Sequence, residues 1–154
     1  MKYVERVLQP GETVVYATRL HWILYLRAIA LLVLSLACLI AAASVALSAV
    51  VLALQIAAGV LALLAAIAAL GALIRRTTTE FAITDRRVIY KTGLLRRHTM
   101  EINRSKVETV GVDQSILGRV LSYGTVIVRG TGGSFEPIRF IGEPLRFRSH
   151  ITAG

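Results

Sequence analysis

Between Arg27 and Arg75 the chain carries no charged residue and no proline. The polar side chains in that run are Ser35, Ser44, Ser48 and Gln55. A single membrane span needs about 20 apolar residues. The run is a little over twice that length, so it predicts two transmembrane helices at about 24–46 and 51–74. At about 1.5 Å per residue each reaches roughly 33–35 Å, enough for a hydrocarbon core about 30 Å thick. The turn near Ala46–Val50 is short, which makes the helices antiparallel neighbours.

Outside the run the period changes from helical to alternating. Upstream, Pro10-Gly11 marks a turn, and Glu12 to Arg19 is rich in β-branched and aromatic residues over strand length. Downstream, Thr77–Thr84 alternates, Asp85-Arg86 reads as a tight turn, and Arg87–Thr92 is a second strand ended by Gly93. Further strands are expected at 96–102, 106–112, 124–129 and 137–141. A short helix is expected from Asp113 to Leu121 with Asp113 as its N-cap, and a flexible loop over 130–134. A short C-terminal helix begins near Glu143. Many short strands with turn signals between them predict an antiparallel sheet folded on itself. The chain thus divides into an N-terminal segment with the first strand (1–23), a helical hairpin (24–74) and a β domain (75–154). A lone strand is unstable, so the first should pair with strands beyond the hairpin.

Interface signals frame the run. Trp22 and Tyr25 have rings suited to the bilayer boundary, and Arg27 can extend its charge to the headgroups. Arg27 precedes the first span, Arg75 and Arg76 follow the second, and the intervening turn is uncharged. The positive-inside rule then places both ends of the chain in the cytoplasm. The N-terminus lacks the short apolar core and small-residue cleavage site of a signal peptide, so it is expected to be retained. Small residues in the spans, Ala42/Ala46 and Gly59/Ala62/Ala66, offer faces for close helix packing or self-assembly. No ionisable group interrupts the spans, which argues against an ion-coupled transporter or proton relay.

The net charge of +9 lies wholly outside the run, with fourteen basic and seven acidic residues after Ile74. An excess beside a membrane points to anionic lipid rather than to nucleic acid, for which interleaved aromatic and basic residues are lacking. The candidate lipid- or partner-binding set is Arg75, Arg76, Arg86, Arg87, Lys91, Arg96 and Arg97. Glu80, Asp85, Glu101 and Glu108 alternate with basic residues and suit cross-strand pairing. The single cysteine, Cys38, allows no intrachain disulfide. No nucleophile elbow, phosphate loop, paired histidines or cysteine cluster is present. No catalytic, cofactor-binding or metal-binding residue is therefore expected.

Several segments, taken together and in order, resemble the bacterial pleckstrin-homology-like, membrane-flanked domain family. They are Thr77–Ile89 (TTTEFAITDRRVI), Gly93–Arg97 (GLLRR), Gln114–Arg119 (QSILGR) and Tyr123–Val128 (YGTVIV), with Pro10-Gly11-Glu12 and His21-Trp22 ahead of the hairpin. The resemblance covers nearly the whole chain. It implies an α+β membrane protein: a two-span hairpin beside a small antiparallel β-barrel or sandwich with a C-terminal cap helix. Because this sequence stops soon after Phe147, that cap is expected to be short or absent, leaving one barrel end open or covered by a neighbouring subunit. The resemblance supplies no catalytic residues. Two function classes follow. One is a non-enzymatic module of the bacterial cytoplasmic membrane that binds anionic lipid or protein at the inner leaflet and self-assembles. The other is an oligomeric scaffold or accessory subunit of a membrane protein complex without lipid specificity.

Overall fold

Two apolar helices and two antiparallel sheets make up the computed structural model, which describes residues 3–94, 98–131, 133–134 and 137–152. In chain order these are α1 (Val4–Val7), β1 (Val14–Thr18), a 3-10 turn (Trp22–Tyr25), α2 (Leu26–Ala43), α3 (Ser48–Thr78), β2 (Glu80–Thr84), β3 (Arg87–Thr92) and β4 (His98–Asn103). A second 3-10 turn (Arg104–Lys106) leads to β5 (Val107–Asp113), α4 (Ile116–Val120), β6 (Tyr123–Gly130), β7 (Gly133–Ser134), β8 (Ile138–Gly142) and α5 (Pro144–Thr152). The chain forms two units, Trp22–Ile74 and the combined flanks Met1–His21 with Arg75–Gly154.

In the helical unit, α2 and α3 are each long and apolar enough to cross a membrane. The positions least exposed on α2 are Ala28, Leu31, Ser35, Cys38 and Ala42, and on α3 up to Ile74 the series Val51, Leu54, Ala58, Leu61, Ala65, Ala68 and Ala72, with Ala69 flanking it. Both series step alternately by three and four residues. That spacing keeps one narrow seam facing the neighbouring helix, as in a left-handed coiled pair. Small side chains on the seam let the backbones approach. Ser35 donates from its buried hydroxyl to the Ala58 carbonyl at 2.8 Å, fixing the register. Of the small residues expected to serve helix packing or self-assembly, Ala42 lies on the seam, whereas Ala46, Gly59, Ala62 and Ala66 are exposed and take no part in it. Large apolar side chains such as Ile40, Leu52, Leu63 and Leu70 are also exposed around the pair.

In the β unit one sheet has the order β1-β2-β3-β4. In the other, β5 takes one edge of β6, and β7 and β8 share the opposite edge. The sheets meet where the 3-10 turn links β4 to β5, and again where Leu20 bridges to Ile141. β2 is buried on both faces because each is covered. Phe81 faces the interior against Phe147 of α5, while Ala82 and its cross-strand neighbour Ile89 lie under Val4 of α1.

Three expectations are corrected. The helical conformation of α3 continues through Arg75, Arg76, Thr77 and Thr78, where a strand was expected from Thr77. Strand partners begin only at Glu80, opposite Lys91, and helix propagation adds a bond per residue until then. The N-cap of α4 is Ser115, not Asp113: its side chain accepts from Gly118 N at 3.1 Å, and Asp113 still pairs within β5. The C-terminal helix, expected to be short or absent, is present at nine residues. Pro144 occupies its first position, suited to a helix start, and Phe147 and Ile151 share its buried face. Phe147 also lies edge-on to Tyr16, so this helix covers the interior expected to be left open.

Candidate functional site

The strands give the β unit two distinct ends. The apolar hairpin leaves the β unit after His21 and rejoins it at Arg75, and His21 feels the charge of Arg76. β2 runs from this junction end to the Asp85-Arg86 turn, and Lys91 returns to it opposite Glu80. At the far end Arg86 O accepts from Arg104 N in the 3-10 turn. A five-residue strand at about 3.3 Å per residue separates the ends by roughly 17 Å, about twice the screening length at physiological salt.

The basic set is therefore split. Arg75, Arg76 and Lys91 lie at the junction end, and Arg75 and Arg76 are exposed. Lys91 Nζ stands 5.2 Å over the Tyr3 ring. Arg86 is exposed at the far end, 3.9 Å from Asp85 Oδ2. Arg96 and Arg97 lie outside the described residues. Trp22 and Arg27 are exposed and Tyr25 is half-buried in the helical unit.

Arg87 is committed to the fold. Its guanidinium donates to Glu12 through Nε at 2.9 Å and Nη2 at 2.8 Å, to Val7 O at 2.7 Å and to Glu101 Oε2 at 2.6 Å. Glu12 also accepts from the Thr84 hydroxyl at 2.7 Å and from Gln9 N at 2.8 Å. These donors, Arg87 first, outweigh the penalty of burial and hold the Glu12 carboxyl at about 2. The same contacts raise Arg87 above its ordinary value. The network ties the segment after α1 to the start of β3. Its partners lie 75 residues apart, so no local pattern could announce the pair. Cross-strand use of the carboxylates is seen at Glu101; Glu80 instead accepts from Tyr3 N and Val4 N at the start of α1.

The junction end is knit by ring stacking and hydrogen bonds. His21 stacks on Tyr123 with ring centres 5.4 Å apart, and its backbone N–H donates to Phe140 O at 2.7 Å. Burial, and then the charge of Arg76, lower the His21 ring below its ordinary value. The Gln114–Arg119 segment closes beside it. The Gln114 amide donates to Tyr123 O at 3.0 Å. A Cβ on Gly118 would stand 2.7 Å from that same oxygen, and one on Gly124 2.8 Å from Asp113 O. Those distances require glycine at both positions.

The described residues include no cluster of His, Cys, Asp and Glu arranged to hold a metal ion. One shallow groove of about 360 Å³ runs between α4 and the start of α5, lined by Arg119, Ser122, Leu145 and Arg146 among others. No curated protein and no solved structure matches the chain. The family model described as Bacterial PH domain matches residues 19–153. That span takes in the hairpin, every strand after β1 and the C-terminal helix, and the chain therefore belongs to the bacterial PH domain family.

Proposed function

We propose that this chain is a non-enzymatic module of the bacterial cytoplasmic membrane. In this reading α2 and α3 cross the bilayer as a hairpin and both flanks are cytoplasmic. The β unit binds anionic lipid at the inner leaflet through the cations of its junction end. The observation that carries the reading is the coincidence, at one end of the β unit, of the two hairpin attachment points with Arg75 and Arg76. A helix pair that leaves Leu and Ile exposed on all sides suits lipid, and cations in the last turn of α3 suit both its negative helix end and anionic headgroups. Arg86 and Arg87 drop out of the contact, one by position and one by its pairing with Glu12. PH-like domains are generally binding modules rather than catalysts, which agrees with this assignment.

Sided labelling tests the topology. In a Cys38→Ala background, Ser105→Cys should react with an impermeant maleimide only after spheroplasts are permeabilised, and Leu47→Cys should react in intact ones. The opposite pattern rejects the topology. A second reading, an oligomeric scaffold without lipid preference, is favoured by the exposed small residues Gly59, Ala62 and Ala66, which the α2–α3 seam does not use. Mass measurement in nanodiscs tests it, and a strict monomer at high concentration rejects it.

A further inference from the structure

The five-residue helix α4 buries Gly118 and turns its large apolar side chains outward. Ile116 is 83% exposed, Leu117 64% and Val120 76%, and Leu145 at the start of α5 is exposed as well. α1, which is shorter still, buries Val4 completely. Apolar side chains of this size gain by leaving water, so three of them turned outward on one short helix call for an occupant.

Its place in the fold names one. α4 follows β5 at the junction end and leads directly into Ser122 and Tyr123. Ser122 O accepts from Glu143 N at 2.9 Å, and Tyr123 stacks on His21, the last residue before the hairpin. The patch thus adjoins the end of the β unit from which both connections to the apolar helices depart. Its rim carries two cations and one carboxylate: Arg119 lies within α4, and Arg146 and Glu143 flank Leu145 on the groove between α4 and α5. Arg146 is exposed and pairs with Glu143 at 3.1 Å. Apolar tips inside a rim of net positive charge fit the headgroup–acyl boundary of an anionic bilayer, where the tips leave water and the guanidinium groups stay at the phosphates. A second copy of the same patch would bring like charges together.

We propose that α4 is a third attachment of the β unit to the membrane, with Ile116, Leu117 and Val120 seated in the headgroup–acyl boundary. This contact would add to the two covalent connections and hold Arg75 and Arg76 against the leaflet. The proposal rests on the reading of α2 and α3 as a membrane-spanning hairpin.

The test uses the full chain with Cys38→Ala, reconstituted in vesicles of phosphatidylcholine and phosphatidylglycerol. Single cysteines at Leu117→Cys and Val120→Cys carry an environment-sensitive fluorophore, and nitroxide-labelled lipid is the quencher. Leu63→Cys on α3 reports the hairpin, and Ser105→Cys reports the far end, in the 3-10 turn before β5. All four positions are exposed, so the label should be tolerated. The expected result is strong quenching at Leu63 and at least twofold more quenching at Leu117 and Val120 than at Ser105. No quenching at Leu63 overturns the spanning hairpin and the proposal with it. Quenching at Leu63, with Leu117 and Val120 matching Ser105, overturns the α4 contact alone. A blue-shifted probe at Leu117 that lipid nitroxide does not quench also overturns it, in favour of a protein partner.

Discussion

Arg86 and Arg87 are adjacent in sequence and separated in role. Arg86 is exposed in the turn, while the Arg87 side chain is only 12% exposed and neutralises the buried Glu12 carboxylate. Removing one partner of a buried ion pair strands the other charge, at a cost of about 3 kcal/mol or more. Arg87→Ala should lower stability by about that amount in thermal or denaturant unfolding of the detergent-solubilised chain. Arg86→Ala should leave it nearly unchanged, and equal losses would contradict the assignment. The pH dependence has a definite sign. Glu12 is depressed from 4.5 to about 2 on folding, so its contribution is complete above about pH 4.5 and is lost as the pH falls toward 2. A melting-temperature series should show that acid decline in the native chain and a smaller one in Glu12→Gln. Gly118→Ala should cost about 1–3 kcal/mol, because backbone rather than a yielding side chain opposes the added carbon. The basic candidates were visible in the sequence as a list, but nothing in it sorts Arg86 from Arg87. That distinction depends on a carboxylate brought in from beyond the hairpin.

At the scale of elements, legibility followed the range of the interactions. The Asp85-Arg86 turn and β3 stand where alternation and turn chemistry placed them, because neighbouring residues decide both. The helix seam escaped notice because nearly every residue in 28–74 is apolar, and a heptad of small side chains has no polar background to stand against. Helix α1 is too short for any periodic pattern to announce it. Its four residues become a helix only because Glu80 accepts from its first N–H groups and Val4 covers Ala82 and Ile89. The seam yields a discriminating prediction. Ala65→Leu overfills the α2–α3 contact and should destabilise the hairpin by about 1–3 kcal/mol. Ala66→Leu, one residue on and exposed, should not. Steric-trap or detergent-titration unfolding of the pair separates the two, and an equal effect would contradict the seam.

At the scale of the whole molecule, the β unit draws strands from both sides of a long apolar insertion, with β1 paired to β2 across it. This pairing follows from the instability of a lone strand, and it places both hairpin connections at one end. The polarity of the β unit that results is what the sequence could not display: Arg75 and Arg76 are brought together with α4, and Arg86 is sent to the opposite end. The central claim, that the junction end recognises anionic lipid, is tested most directly by the lipid that accompanies the full chain. Extracted in native nanodiscs, the protein should carry anionic lipid enriched over the bulk membrane. The Arg75→Ala/Arg76→Ala variant should lose that enrichment, and Arg86→Ala should keep it. No enrichment in the native chain, or an equal loss in Arg86→Ala, would contradict the claim.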